Sequence, residues 1–192
     1  MKRLLVASKN PGKAEEIRVI LDPLNDWQLD RLPESHPDCE ETGSSYFENA
    51  RQKAIFYSQS TAEWTVADDS GIEVDALGSW PGIYSARFAP DDKSRNEEIL
   101  RRLEGVPQEK RTAQLICSLA LARSGEVIWS AEERIRGRIV FEPAGNNGFG
   151  YDSIFWNIEF GKTMAELEPH AKNQVSHRGK ALSRLQECLT TI

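Results

Sequence analysis

The chain has 192 residues, of which 39% are hydrophobic and 28% are charged, an ordinary balance for a globular domain. Its formal net charge of −6 argues against general binding to nucleic acid, so a polyanionic ligand would need local Lys and Arg, helix N-termini or a metal ion. No apolar run approaches membrane-spanning length, and three widely spaced cysteines fit neither a disulfide framework nor a zinc site. We therefore expect a single domain over residues 1–192 in the reducing cytoplasm.

The N-terminal half alternates β-like and helical patterns. Asn10 is a favourable N-cap and Pro11 a favourable first helical residue, and apolar residues then recur at helical spacing. The predicted elements are a strand over 2–8, a helix from Asn10-Pro11, a strand over 27–32, a loop over 33–44, a helix over 45–58 and strands over 64–67 and 72–77.

The C-terminal half begins with a helix and continues with longer strands. Ser124-Gly125 suits a hairpin turn between two strands, and Ser176 is a favourable N-cap for a last helix. The predicted elements are a helix over 94–103, strands over 112–122, 126–138 and 154–156, and the helix after Ser176. This order indicates an α/β fold with a mixed sheet.

The segment SKNPGK, residues 8–13, joins the first strand to the first helix. Free N–H groups and the helix dipole favour an anion there, and Lys13 adds a positive charge. The segment is not a P-loop, because its first glycine is missing and Ala14 follows the lysine. A simply capped helix with a solvated lysine is the alternative.

Two acidic segments are candidates for a metal site. Asp68-Asp69 follows an apolar strand, and neighbouring strand side chains point to opposite faces, so one carboxylate should face a site while the other supports it. Mg²⁺ is usually held by one or two carboxylates plus substrate phosphates. The adjacent glutamates Glu40-Glu41 on the preceding loop could supply another carboxylate, and Lys53 could reach a phosphate. The alternatives are an Asp-rich turn, a solvated acidic loop and an ordinary helix surface.

The third group of candidates is C-terminal. In the glycine-rich loop GNNGFGYD, residues 145–152, Phe149 could stack on a nucleobase, or the loop could be a hairpin with Phe149 in the core. His177-Arg178 places positive charge at a helix N-terminus, which the helix dipole disfavours. An anion or a hydrogen-bonding ligand would relieve this unfavourable interaction. A surface pair is the alternative.

Taken in order, these segments resemble one family. The motifs SKNPGK, EETG with ENARQKA, ADDSG, PGIYSARF, GFGYD, GKTMAEL and SHRGKAL are similar to those of the dITP/XTP pyrophosphatase (inosine triphosphatase) family and span residues 8 to about 182. Lys9 departs from the glycine of many members, and Asn146-Asn147 departs from the commonest pattern.

The resemblance implies an elongated mixed sheet with flanking helices, two lobes around a nucleotide cleft, and a homodimer. It implies Mg²⁺ bound by Glu41 and Asp69, with Asp69 the general base and Asp68 supporting it. It also implies the substrate-binding residues Ser8, Lys9, Asn10, Pro11, Gly12, Lys13 and Lys53 for the triphosphate, Ser70, and Phe149, Gly150, Tyr151, Asp152, Lys172, His177 and Arg178 for base and sugar.

The expected reaction is hydrolysis of non-standard purine nucleoside triphosphates (dITP, ITP, XTP) to a monophosphate and pyrophosphate, which cleanses the nucleotide pool. No nucleic acid polymer or membrane partner is expected. Two other classes remain open at this point. One is a regulatory module that binds nucleotides without turnover, and the other is a phosphatase that releases orthophosphate.

Overall fold

The computed structural model describes residues 1–61 and 64–192. The strands are β1 (Lys2–Val6), β2 (Trp27–Arg31), β3 (Trp64–Val74), β4 (Trp80–Pro81), β5 (Thr112–Arg123), β6 (Glu126–Ile139), β7 (Phe155–Asn157) and β8 (Lys162–Thr163). The α-helices are α1 (Pro11–Leu21), α2 (Tyr46–Thr61), α3 (Asp92–Arg102), α4 (Pro169–Val175) and α5 (His177–Thr191), and four short 3₁₀ helices lie between them.

The strands form a mixed sheet in the order β2-β1-β3-β5-β6-β7-β8, with β4 paired to β3. β2 and β3 run parallel to β1, with Lys2 beside Trp27 and Leu4 beside Trp64. β4 is antiparallel to β3, β7 to β6 and β8 to β7. The predicted α/β class with a mixed sheet and flanking helices is therefore confirmed.

The chain divides into two compact units, and the first consists of Met1–Asp69, Cys117–Glu133 and Arg178–Ile192. Its strands bury side chains on both faces. Leu4 and Val6 join a core with residues of α1 and α5, whereas Leu5 joins a second core with residues of α2. This alternation follows from the two-residue period of a strand, and it places helices on both sides of this part of the sheet.

The second unit consists of Ser70–Ile116 and Arg134–His177. Its core packs Ile72 and Val74 of β3 with Ile99 and Leu103, while Phe155 of β7 is completely buried. α3 begins at an N-cap, Asp91, whose side chain accepts a hydrogen bond from Ser94 N–H. α3 thus starts two residues before the predicted helix and ends one residue earlier.

The sequence prediction was wrong at β3. The predicted strands over 64–67 and 72–77 are one strand, which passes through Asp68-Asp69 and ends at Val74 before a 3₁₀ helix, Asp75–Leu77. The strand continues because cations neutralise both buried carboxylates, as described below, so no turn to solvent is needed.

Other predicted features are confirmed. The two residues between β5 and β6, Ser124 and Gly125, have φ of 51° and 84°, as a tight hairpin turn requires. The last helix follows Ser176. Three short elements, β4, β8 and α4, were not predicted, because two strand residues or seven helical residues are too few to show a readable period. None of the helices in the described parts of the chain is both long and apolar enough to cross a membrane.

Candidate active site

The two neighbouring aspartates of β3 point to opposite faces of the sheet. Asp68 contacts Lys13 of α1 and Arg178 of α5, whereas Asp69 contacts Asn49 and Lys53 of α2. Successive strand side chains alternate in direction, and the two carboxylates accordingly have different partners, whereas the roles predicted for them stay predictions. Each aspartate lies inside the strand rather than at its end.

Asp68 is the centre of a buried charge cluster. Its Oδ2 lies 3.0 Å from Lys13 Nζ and 3.4 Å from Arg178 Nη2, and Arg178 Nη1 also pairs with Glu16 Oε2 at 2.5 Å. Burial disfavours the charged carboxylate, but Lys13, Arg178 and Lys53 outweigh burial and hold the pKa of Asp68 well below its ordinary value. Asp68 is therefore a fixed negative charge that orients two cations.

Asp69 belongs to a different cluster. Lys53 Nζ lies 2.9 Å from Glu41 Oε1 and 3.2 Å from Asp69 Oδ1, and Asn49 Nδ2 donates to Asp69 Oδ2 at 3.1 Å. Burial, with a contribution from Glu41, raises the pKa of Asp69 above its ordinary value, although Lys53 and Lys13 oppose the shift. A carboxylate with a raised pKa is better able to accept a proton near neutral pH.

The donor set around Lys53 fits a hard divalent cation. Glu41 and Asp69 direct carboxylate oxygens at the same ammonium group, so these oxygens lie close together and face a position suited to positive charge. In the described parts of the chain, no three His, Cys, Asp or Glu side chains group as a complete metal site. Two carboxylates completed by phosphate oxygens are the arrangement that Mg²⁺ prefers over an all-protein site.

The loop before α1 is ordered by its own side chains. Asn10 caps the helix by accepting a hydrogen bond from Lys13 N–H at 3.0 Å, and Ser8 Oγ accepts one from Asn10 N–H at 3.3 Å. Lys9 turns toward the loop after β2, where it pairs with Asp38. Pro11 and Gly12 form the first turn. The capped helix is thus present, and Lys13 is tied to Asp68 rather than simply solvated.

In the second unit, the glycine-rich loop brings three predicted residues together. Phe149 N–H donates to Asp152 Oδ2 at 2.9 Å, and the same carboxylate oxygen pairs with Lys172. Lys172 Nζ lies 4.9 Å from the centroid of the Phe149 ring. Phe149 is partly exposed and lies outside the core of this unit, so the alternative that it is a core residue is not what the structure has.

Three of the other predicted residues are buried rather than facing solvent, and a fourth lies in β3. Tyr151 is buried in the core of the second unit, and its hydroxyl donates to the Ser85 carbonyl. His177 and Arg178 are 7% and 4% exposed, so they are not a surface pair. Ser70 follows Asp69 in β3 and is partly exposed.

Four residues of these clusters were missed or given no role by sequence reasoning. Glu16 is one turn beyond Lys13 in α1, and Asn49 precedes Lys53 by four residues in α2, so helical spacing could have indicated both. Asp92 and Asn96 of α3 contact the glycine-rich loop and share the same spacing. Their role depends on a loop more than 50 residues away, which no local pattern reveals.

The fold and the two groups of residues define an α/β protein whose candidate residues combine carboxylate with ammonium groups. The sequence matches the Ham1 family over residues 4–188. It is 46% identical to the dITP/XTP pyrophosphatase of Geobacillus kaustophilus, covering 97% of this chain and 94% of that protein. A HAM1 protein from Coxiella burnetii has a similar structure, with a TM-score of 0.89, 38% identity and complete coverage of both chains. The chain belongs to the Ham1 family.

A second curated relative and a second structure agree. The dITP/XTP pyrophosphatase of Gloeobacter violaceus is 45% identical, with 96% of this chain and 93% of that protein covered. The structure of a dITP/XTP pyrophosphatase from Mycobacterium abscessus has a TM-score of 0.73 at 41% identity, and the match covers 95% of this chain and 97% of that one. The family resemblance that the sequence motifs indicated is therefore confirmed.

Proposed function

We propose that this protein is a nucleoside-triphosphate pyrophosphatase that hydrolyses dITP, ITP and XTP to the monophosphate and pyrophosphate, and so cleanses the nucleotide pool. One observation carries the proposal, which is the convergence of Glu41 and Asp69 on Lys53 in a chain of this family. The relatives named dITP/XTP pyrophosphatase support this substrate class. Acids beside a lysine whose side chain is only 13% exposed suit the charge that develops when a phosphoanhydride is cleaved.

Mg²⁺ is the proposed cofactor, with Glu41 and Asp69 as its protein ligands. When bound, it would neutralise phosphate charge and polarise phosphate oxygens. Both ligands supply hard oxygen atoms, and both already contact one cation, the Lys53 ammonium group.

Asp69 is the proposed general base. It would take a proton from the water that attacks the α-phosphorus. Asn49 and Lys53 each hold one of its carboxylate oxygens, which restricts the direction from which the proton is accepted. Asn49 is itself fixed, since its Oδ1 accepts a hydrogen bond from Gly43 N–H at 2.9 Å.

The proposed phosphate-binding groups are the N-terminal loop and two lysines. The residues are Ser8, Lys9, Asn10, Pro11, Gly12, Lys13 and Lys53. Lys13 and Lys53 would stabilise negative charge on the leaving pyrophosphate. Asp68 supports this role by holding Lys13 in place, because its Oδ2 lies 3.0 Å from Lys13 Nζ.

The proposed base and sugar contacts come from Ser70, Phe149, Gly150, Tyr151, Asp152, Lys172, His177 and Arg178. Phe149 offers a ring for stacking. Asp152 accepts a hydrogen bond from the Phe149 main chain, and Lys172 lies over the face of the ring. Because the Tyr151 side chain is buried in the core, Tyr151 would contact the substrate through its backbone in this loop. A donor facing the 6-keto oxygen would reject the 6-amino group of adenine strongly. Rejection of guanine requires exclusion of its 2-amino group.

Three wider features belong to the same proposal. Residues 1–192 act as one catalytic domain, because the family match spans both units. The protein is a homodimer, as the motif resemblance implies. It works in the cytoplasm, where its free cysteines Cys39, Cys117 and Cys188 would stay reduced.

The decisive experiment is hydrolysis of ITP with Mg²⁺ in ¹⁸O-labelled water, with both products identified by mass spectrometry and ³¹P NMR. The proposal expects IMP and pyrophosphate, with ¹⁸O in IMP, because water attacks the α-phosphorus. Label in pyrophosphate would place attack at the β-phosphorus, and release of orthophosphate with IDP would contradict the proposal. ATP and GTP at equal concentration test the base preference, and equal kcat/KM for ITP and either of them would contradict the cleansing role.

A further inference from the structure

α3 holds both polar main-chain atoms of one residue in the glycine-rich loop. Asp92 Oδ2 accepts a hydrogen bond from Gly150 N–H at 2.7 Å, and Asn96 Nδ2 donates one to Gly150 O at 2.9 Å. Gly150 has a φ of +63°, in the left-handed region that the backbone adopts at little cost only at glycine. Two bonds from a helix therefore hold the loop in one of the several conformations open to a glycine.

The two α3 side chains are themselves held in place. Asn96 is 7% exposed, and its Nδ2 also donates to Ser153 Oγ at 3.2 Å. The second oxygen of Asp92 pairs with Arg95, which in turn donates to the Ala89 carbonyl at 2.8 Å. Each group therefore has a second contact, which limits the positions from which it can bond to Gly150.

Gly150 lies between the residues that the loop presents. Phe149 precedes it, and Asp152, two residues later, accepts from Phe149 N–H and pairs with Lys172. The position of the Phe149 ring and of the Asp152–Lys172 pair therefore depends on the position of Gly150. The cavity next to this contact has a volume of about 360 Å³, and Asp92, Asn96, Phe149 and Asp152 are among the residues that line it.

We propose that Asp92 and Asn96 are positioning residues for nucleobase recognition, which act by fixing Gly150 and thereby Phe149. This proposal rests on the proposed function in one respect, that Phe149 and its loop bind the base. It adds two residues of a helix that carries none of the candidate substrate contacts.

The test compares Asn96→Asp and Asp92→Ala with wild type. Aspartate has nearly the size of asparagine, but its carboxylate cannot donate to the Gly150 carbonyl, and alanine removes the acceptor for Gly150 N–H. The matched control is Arg101→Ala in the last turn of the same helix, whose side chain is 64% exposed and pairs with Glu98 on its own helix. The measurements are KM and kcat for ITP and the inhibition constants of IMP and of inorganic pyrophosphate.

Loss of one hydrogen bond of this kind should raise the KM for ITP and the inhibition constant of IMP about tenfold in each variant. The inhibition constant of pyrophosphate, which has no base, should stay within about twofold, and the control should match wild type. Hydrogen exchange across residues 145–152 should also accelerate in Asn96→Asp, which checks the loop itself without turnover.

Two results would overturn the positioning role. One is an unchanged KM and IMP inhibition constant in both variants, and the other is a parallel rise for pyrophosphate, which indicates general damage to the fold. A wild-type protein with no turnover of any purine triphosphate would contradict the proposed function instead, so the two failures are distinguishable. If Asn96→Asp fails to fold, Asp92→Ala alone decides.

Discussion

Asp68 and Asp69 differ in what they can do although they are neighbours in the chain. Asp68 is bound by two cations and its pKa is lowered, whereas Asp69 is buried beside Glu41 and its pKa is raised. The first carboxylate is therefore a permanent charge, and the second can exchange a proton. Substitution by asparagine, which removes the charge with little change in size, should separate these roles.

Asp69→Asn should lower kcat by about a hundredfold or more, because the amide cannot accept the proton of the attacking water. The free energy of unfolding should change little. Glu41→Gln is the comparison, since a lost metal ligand is compensated by higher Mg²⁺ concentration whereas a lost base is not. Exposed Glu40→Gln is the control, and kcat of Asp69→Asn near wild type at saturating Mg²⁺ would assign the base to another residue.

Asp68→Asn should lower the free energy of unfolding by about 3 kcal/mol at neutral pH, because it leaves the buried Arg178 and the partly buried Lys13 with less compensating charge. A lowered pKa in the folded state stabilises the fold above the ordinary carboxyl range and loses that contribution as pH falls below it. Denaturation by urea should therefore give wild-type and variant stabilities that converge toward low pH. Asp38→Asn, at a surface ion pair in which the Asp38 side chain is 83% exposed, should change stability by less than about 0.5 kcal/mol.

Gly148→Ala should weaken ITP binding, because a Cβ there would lie 2.1 Å from Asp152 Oδ2 and 2.9 Å from Lys172 Nζ. The displaced pair would release Phe149 N–H, and KM for ITP should rise about tenfold or more. Gly105→Ala is the matched control, since Gly105 has a similar φ of +74° but open space around its Cβ position. Both variants should lose about 1 kcal/mol of stability from backbone strain, and an unchanged KM in Gly148→Ala would contradict the role of this pair.

At the scale of elements, three helices act on the candidate sites from defined positions. α1 supplies Lys13 from its first turn, and α2 supplies Asn49 and Lys53 four residues apart. α3 reaches Gly150 from its first two turns with Asp92 and Asn96. Residues four apart share one helix face. Each helix therefore presents its functional side chains together once its buried face is packed.

Asn10→Ala should destabilise α1 and lower the free energy of unfolding by about 1 kcal/mol, because the N-cap bond to Lys13 N–H is lost. Asn10→Ser keeps a capping oxygen and should recover most of this loss. Thermal or urea unfolding measures stability, and KM for ITP measures phosphate binding. A rise in KM only in the alanine variant would tie phosphate binding to the cap, and no loss of stability would contradict the capping role.

At the scale of the whole molecule, the two units each have a core and carry different chemistry. The first unit contains both aspartates with Lys13, Lys53 and Arg178, whereas the second contains the glycine-rich loop with Lys172. Their cores share no residue. The family match nevertheless covers both units, so we expect activity to need the whole chain.

The assembled protein should be a homodimer, an expectation that rests on the motif resemblance. Light scattering at micromolar concentration should give a mass of about twice the 21.7 kDa of one chain. The measurement should be repeated on dilution and with ITP and Mg²⁺ present. A monomer mass under all of these conditions would contradict the expectation.

Local sequence patterns were sufficient for most of the fold. The N-cap of α1, the β5–β6 turn and the period of α5 were predicted and are present, because capping, positive φ at turn residues and helical spacing act over a few residues. The candidate residues were also found from the sequence, but through the order of whole motifs rather than through any one segment. The prediction of two strands at residues 64–77 failed because adjacent aspartates usually mark a turn to solvent.

Only the tertiary structure decided which polar and charged groups contact one another. Arg178 lies 110 residues from Asp68, Asn49 lies 20 residues from Asp69, and Asn96 lies 54 residues from Gly150. Contacts at such separations depend on which helix packs on which face of β3 and on how the glycine-rich loop folds against α3. The same packing removes Asp68 and Asp69 from water and gives them opposite pKa shifts. The sequence by itself determined the types of the candidate residues and the helices and strands that carry them. Burial in the packed fold decided the partners of these residues and the direction in which the pKa of each aspartate shifts.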